Sequence, residues 1–523
     1  MTLAIISGLL AIALCGLSAL ASLREHARQR PGGVSVVLLA GALVLFLVGL
    51  ATAQSLESCP DCLRRCASTT TVPTTSTTTT TVPVADGWRH FWSVRMGGTV
   101  LADSAPVKGV AIDAQGNVYA VGSFTGTVDL GGGPVTSLGR ADAFLVKRSP
   151  DGVFLWAKTF GERFATDQFA TAVAVDPQGN VVVTGWYYGN VSFGGTALQS
   201  VAYDAFLTSF TPSGAHRWSK RIGGLSYDLA HSVAIDSAGD IVLAGQFAGA
   251  VDFGGGTVTS AGSNDGFVAK YAGTTGAYRW AHRFGGPGLD IATSVRIDPS
   301  DNPVVVGYYG AAGTFAGVPL SHAGSNDAFA VSLSSAGSVR WALRFGDVNE
   351  QRALAVATDP SGNVLLAGYF GGQVSFGGPV VENQGGAPDI FVAKLTTAGA
   401  HVWSRAFGTT LGFGDLASAL VTDSWGEVYV TGHIIGPVNF GGGALVAEAT
   451  YDPFVLKLAA ANGAHRWSRR FIGRWDDHGS SIAIGARLVL GGDFAEAINF
   501  GGATLPSPGG MDGFMVDPEL GGS

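Results

Sequence analysis

From residue 88 onward, short apolar runs alternate with breaks rich in glycine, aspartate and proline. Within one such unit the runs are Ser232-Val233-Ala234-Ile235, Ile241-Val242-Leu243-Ala244, Phe267-Val268-Ala269-Lys270-Tyr271 and Arg279-Trp280-Ala281-His282-Arg283-Phe284. Each is four to six residues long, rich in β-formers and closed by turn residues, so each predicts a strand. Between the first and second runs lies a tight turn, Asp176-Pro177-Gln178-Gly179-Asn180 or Asp359-Pro360-Ser361-Gly362-Asn363. Aspartate opens such a turn by bonding its own backbone, and glycine takes the left-handed position.

The unit recurs. Tryptophan stands at 92, 156, 218, 280, 341, 403 and 467, and the triplet Asp-x-Phe ends at Phe144, Phe206, Phe267, Phe329, Phe391, Phe454 and Phe514. Two markers with one count and one period of about 62 residues identify an array of seven repeats. Four antiparallel strands per repeat, seven times, predict an all-β chain folded as a seven-bladed β-propeller over residues 88–517, with 518–523 as a short tail. The residue four after each tryptophan is apolar (Met96, Phe160, Ile222, Phe284, Phe345, Phe407, Phe471), and i and i+4 share one face of a strand. A buried tryptophan removes ~150–250 Å² from water, roughly 4–6 kcal/mol of gross transfer energy as an upper bound. The small Ala/Ser/Val run suits the crowded axis. The tryptophan run suits the outer edge, where Lys158, Lys220, Arg221, Arg283, Arg344, Arg405 and Arg469 would guard against pairing with another chain. The array opens on a tryptophan strand, Phe91 to Met96, and ends on an Asp-x-Phe strand, Gly513 to Val516. The ring should therefore close by pairing the two chain ends.

These phrases also resemble the bacterial seven-bladed β-propeller repeat (SBBP) of exported cell-surface proteins. The matching stretches are Trp280 to Gly286, Asp236 to Gly245, Val251-Asp252-Phe253-Gly254-Gly255 and Asp265 to Lys270. The resemblance implies surface display and a binding or scaffolding role, and it carries over no catalytic residue. Two copies depart from the pattern: the first has Leu130 where the others have phenylalanine, and the seventh shrinks its turn to Ile484-Gly485-Ala486-Arg487.

The first 87 residues read differently. Residues 3–21 and 34–53 are apolar runs long enough to cross a bilayer, so residues 1–56 predict a membrane region of two helices. The loop between them carries Arg24, Arg28 and Arg30, which favours a cytoplasmic loop and exports the propeller. A cleaved signal ending at Ala51-Thr52-Ala53 is the alternative, giving a secreted protein. Residues 57–87 hold Cys59, Cys62 and Cys66 and then a Thr/Pro-rich linker that cannot bury a core. In an oxidising compartment the three cysteines suggest one local disulfide and one thiol left over; a zinc knuckle would lack its fourth ligand.

Charged residues make up only 13% of the chain and the net charge is −8, with no basic patch of the kind nucleic acid requires. The Asp-x-x-Gly-Asn turn lacks the closing glutamate of a calcium loop. An acidic residue recurs before the first strand of the repeat: Asp167, Asp228, Asp290, Asp415 and Asp477, with Glu350 in a similar place. Pointing inward, these would ring the channel mouth and hold a cation or repel anions; otherwise each caps a turn of its own repeat. His216, His401 and His465 share one repeat position and read as surface decoration, whereas His231 and His478 lie near the mouth. Tyr187, Tyr188, Tyr308 and Tyr309 either stack on a sugar or pack in the core or rim. No catalytic residue, cofactor or metal site is assigned. The expectation is a membrane-anchored, extracytoplasmic scaffold for an extracellular protein or glycan. The alternatives are an exported propeller enzyme acting on polysaccharide, as a lyase or glycosidase, and a purely structural surface protein.

Overall fold

The computed structural model describes residues 89–163, 166–385, 387–410, 414–447, 451–473 and 475–519. These form the predicted propeller: seven antiparallel four-stranded sheets arranged around an axis. Blade three shows the pattern, with an inner strand Leu229–Ile235, a second strand Ile241–Phe247, a third Asp265–Tyr271 and an outer strand Tyr278–Gly285. Blades are numbered from the one whose inner strand is Val107–Ile112. In blade three the second and third strands are buried along their whole length, because a neighbouring blade covers each face. Among the described residues no helix is long and apolar enough to cross a membrane. The predicted spans 3–21 and 34–53, Cys59, Cys62, Cys66 and the linker lie outside the described residues.

Closure follows the predicted route. The seventh blade is built from His478–Ile484, Leu488–Ile498, Leu505–Glu519 and then Arg89–Gly98 from the other end of the domain. Arg89 pairs with Glu519, Val94 with Met515 and Met96 with Gly513. The two departures from the repeat are both repaired locally. In the other blades the residue four after tryptophan meets a phenylalanine on the next blade, as in Phe345–Phe376 at 5.0 Å and Phe471–Phe500 at 4.9 Å. Met96 and Leu130 replace both partners at the closing junction and share one core cluster with Phe144. At the shrunken seventh turn the ion pair is reversed. In blades one, three and five a turn aspartate faces a third-strand lysine (Asp113–Lys147, Asp236–Lys270, Asp359–Lys394). In blade seven Arg487 occupies the turn and Asp517 the strand, 3.2 Å apart.

The outer strands differ from expectation in one respect. Arg221, Arg283 and Arg344 do not stand off as edge guards. Each turns back onto the buried aspartate of its own Asp-x-Phe triplet, Asp204, Asp265 or Asp327. Arg95 and Arg470 do the same with Asp512 and Asp452, at 2.5 and 2.7 Å. A carboxylate buried under the rim needs that partner more than the strand edge needs a free charge. Arg405 instead donates to the carbonyls of Asn462 and Gly463 on the next blade.

Because the first strand supplies a quarter of blade seven, deleting residues 89–98 should lower the melting temperature of the whole propeller in one cooperative transition. Calorimetry of the deletion variant checks this; a variant that melts like the full chain contradicts the closure.

Candidate functional site

Every inner strand carries a β-bulge at the same place, after Val107, Ala170, Ala230, Ala292, Ala353, Ala417 and Gly479. The extra residues are Lys108, Thr171, His231, Thr293, Leu354, Ser418 and Ser480. A bulge inserts one residue, bends its strand and re-aims the neighbouring groups. Here it pushes a carbonyl onto the facing second strand. A Cβ on Gly122, Gly185, Gly245, Gly307, Gly368, Gly432 or Gly492 would stand only 1.9–2.1 Å from that oxygen. The repeated second-strand glycine is thus the sequence mark of the bulge.

The residue after that glycine varies from blade to blade. It is Ser123, Trp186, Gln246, Tyr308, Tyr369, His433 and Asp493 in blades one to seven. These side chains share one end of the second strands with the loops that enter the inner strands. Three sectors of this mouth face result. In the first, Trp186 stacks on Phe169 at 4.1 Å and meets Tyr203 edge-on at 5.0 Å, and Tyr203 stacks on Tyr227 at 5.4 Å. In the second, the Arg352 guanidinium lies 4.2 Å from the centre of the Tyr308 ring and also pairs with Glu350 at 2.5 Å. In the third, Asp493 receives His478 Nδ1 at 2.8 Å and Lys108 Nζ at 2.7 Å, while His433 stands beside His478 with ring centres 4.9 Å apart. Burial would raise Asp493, but the bonds from His478 and Lys108 hold it below the usual carboxylate range. Burial and the neighbouring His478 push His433 down to about 3, so its ring is neutral. An imidazole oriented by a buried carboxylate is a competent proton acceptor.

The acidic positions are placed as follows. Asp228, Asp290, Asp415 and Asp477 are buried at the junctions between blades. Each accepts backbone N–H groups of the surrounding loops: Gly224 and Ala248 onto Asp228, Gly286 and Gly310 onto Asp290, Ile435 onto Asp415, Ala495 onto Asp477. The residue that shares their slot in blade two is Gln168, which pairs with Tyr187; Asp167 lies one position earlier, near Arg140 and Tyr203. In blade five the slot belongs to Gln351, one past Glu350. An amide therefore serves in two blades where a carboxyl serves in four. Among the described residues no group of three or more His, Cys, Asp or Glu side chains is placed to hold a metal ion.

Of the remaining groups singled out in the sequence, Tyr187 and Tyr309 are core residues, Tyr188 is exposed and Tyr308 joins the Arg352 sector. His216, His401 and His465 are half-buried rather than decorative. Each ring occupies the space beside a Gly-Gly turn of its own blade, at Gly195, Gly378 and Gly442. The His433–His478–Asp493–Lys108 cluster went unread in the sequence, although the variable residue after each repeated glycine marks its slot.

No family model matches the chain. It is similar to an uncharacterized WD repeat-containing protein, L264, of Acanthamoeba polyphaga mimivirus, at 23% identity over 50% of this chain and 24% of that protein. It is also similar to the regulatory protein FlaEY of Caulobacter vibrioides, at 24% identity over 79% of this chain and 44% of that protein. The chain thus spans less than half the length of either relative. Among solved structures it aligns with the Neurospora crassa Pan2 WD40 domain (10% identity, TM-score 0.40, 82% of this chain and 95% of that one). It also aligns with the quinohemoprotein alcohol dehydrogenase of Comamonas testosteroni (11% identity, TM-score 0.39, 84% and 77%).

Burial raises Asp228 and Asp415 to about 7, Asp290 to about 6 and Asp477 to about 8, against the opposing pull of their N–H donors. Each carboxyl then holds its proton more tightly in the fold than in the unfolded chain. The stability these four carboxyls contribute is complete below about pH 4 and is lost as pH rises from there through their folded values of about 6 to 8. Asp477→Asn, which places there the kind of amide that Gln168 and Gln351 supply in their own blades, should flatten part of that fall. Melting temperatures across about pH 5 to 9 check this; a profile unchanged by the substitution counts against it.

Proposed function

We propose that the chain is an interaction scaffold that holds a partner, an extracellular protein or glycan, on the mouth face of its propeller. A propeller scaffold suits this role because its rigid strands carry loops that vary independently. The observation that carries the reading is a group of large apolar side chains left exposed on the loops of one face, though others, such as Trp425 and Val153, stand exposed in turns elsewhere. Leu101, Leu225, Tyr227, Leu289, Val348 and Trp475 all stand on loops entering inner strands, with Leu225 87% and Tyr227 58% exposed. Tyr227 continues inward through Tyr203 and Trp186, giving a platform of rings from rim to mouth. Exposed aromatic and aliphatic groups gathered on one face mark binding surfaces.

The apolar runs 3–21 and 34–53 and the Thr/Pro-rich linker support a membrane tether with the propeller held outside the cytoplasm. The reading makes that face the business end of a surface-displayed domain. A second reading, an exported enzyme acting on polysaccharide, draws on the unrepeated His478–Asp493 pair. It requires turnover of a polysaccharide that His478→Ala abolishes, and a hydrolysis and elimination screen decides it.

The full chain should bind glycans or surface proteins in array format, and Leu225→Ser with Tyr227→Ser should weaken that binding at least tenfold without moving the melting temperature. Retained binding in the double variant would rule out the mouth face. Protease added to intact or outer-permeabilised cells should digest the propeller; full protection would place it in the cytoplasm and remove the display reading.

A further inference from the structure

One position of the inner strand is filled by alanine or valine in six blades: Ala111, Ala174, Ala234, Ala357, Val421 and Ala483. In blade four it is Arg296. This arginine lines both axial cavities, an upper one of about 120 Å³ and a lower one of about 320 Å³. The lower cavity carries no other charged group. The upper carries Lys108 as well, but that ammonium is already committed to Asp493. Neither cavity is lined by an aspartate or glutamate. The guanidinium has five N–H donors, yet its hydrogen bond in the structure is a long one, 3.4 Å, to the carbonyl of its own neighbour Val295. No carboxylate of the described residues lies within ion-pair distance of it. Hydroxyls surround the upper cavity: Ser232, Ser294, Ser418 and Ser481. Ser232 and Ser481 accept the N–H groups of Val295 and Val110, which leaves their O–H groups for another acceptor. His231 stands at the same level and burial pushes it down to about 4, so it adds no charge.

Arg296 is half-buried on the channel wall. A cation held in a narrow channel without a counter-charge is unfavourable, and an anion that enters from outside relieves it. We propose that the axial channel is a binding site for a small inorganic oxyanion such as phosphate or sulfate, held by the Arg296 guanidinium and the serine hydroxyls above it. Guanidinium donors in a planar fork match a tetrahedral oxyanion, and the hydroxyls supply further bonds to its remaining oxygens. The upper cavity admits an ion of that size. The proposal does not depend on which partner the mouth face holds.

The test uses the purified full chain, titrated calorimetrically with sodium phosphate and, separately, sodium chloride and phenyl phosphate, alongside Arg296→Ala. Alanine is the residue of five other blades, so the variant should fold, and its melting temperature without phosphate should match or exceed that of the parent. Phosphate should bind the parent and raise its melting temperature, and Arg296→Ala should lose at least tenfold in affinity. Ser418→Ala should weaken binding several-fold. Phenyl phosphate, which must place an apolar ring among the serine hydroxyls of the same channel, should bind at least tenfold more weakly. No heat from phosphate at millimolar concentration would overturn the proposal. So would equal binding of chloride, equal binding of phenyl phosphate, or an Arg296→Ala variant that binds phosphate like the parent.

Discussion

Each blade is a sheet with two apolar faces, and neither face is satisfied until another blade lies against it. The seal between neighbours is therefore the interaction on which the molecule rests. It is made at the outer strand by three contacts repeated around the ring. The tryptophan indole donates to a turn carbonyl of the next blade, as Trp92 to Pro150, Trp218 to Gly273, Trp280 to Ser335, Trp341 to Thr397 and Trp403 to Ala460. The ring itself packs on a left-handed glycine of that same turn, Gly276 on Trp218 and Gly463 on Trp403, where a side chain would collide and the backbone favours none. A third-strand lysine of the same blade joins the indole on one carbonyl, with Lys270 and Trp280 meeting at Ser335 and Lys394 and Trp403 at Ala460. Most of these indoles remain partly open to solvent, so they act as clasps as much as core. The deeper burial belongs to the phenylalanines four residues on.

A ring of such seals is only as sound as its last one. The closing junction joins strands from opposite ends of the domain, and the departures from the repeat gather around it. Met96 and Leu130 substitute a flexible pair for two aromatic rings. Arg487 and Asp517 exchange the sides of an ion pair. Ser209 and Ser332 show the same compensation elsewhere: where the third-strand lysine is missing, an outer-strand arginine, Arg217 or Arg340, reaches the serine instead. Change at one partner is matched by change at the other, because a buried charge or a void would otherwise be left behind.

The architecture was legible in the sequence because every seal is written in residues that recur: the tryptophan, the aromatic four later, the Asp-x-Phe triplet. The closing strand was legible from the phase of the array. The mouth was not. Locating Gln168 rather than Asp167 requires the register of two strands, and Asp167 is the residue that looks like its counterparts in other blades. The arginines at 221, 283 and 344 follow a tryptophan on a rim strand, and only the tertiary fold shows the buried aspartate beneath each. The residues with individual chemistry, His433, Asp493 and Arg296, occupy slots whose side chain is not the one the other blades carry there. Searching for what recurs passes over them.

The bulge explains why those slots are free to differ. By forcing glycine at one second-strand position it fixes the backbone there, and the fold asks nothing further of the adjacent side chain. Serine, tryptophan, glutamine, tyrosine, histidine and aspartate all occur at that adjacent site, on backbones paired in one register. Stability is supplied at the rim and between second and third strands, so the axis can carry chemistry that would not be tolerated in a core. An unpaired arginine among alanines is the extreme case: it persists because seven outer seals hold the strands around it whether or not the channel is occupied.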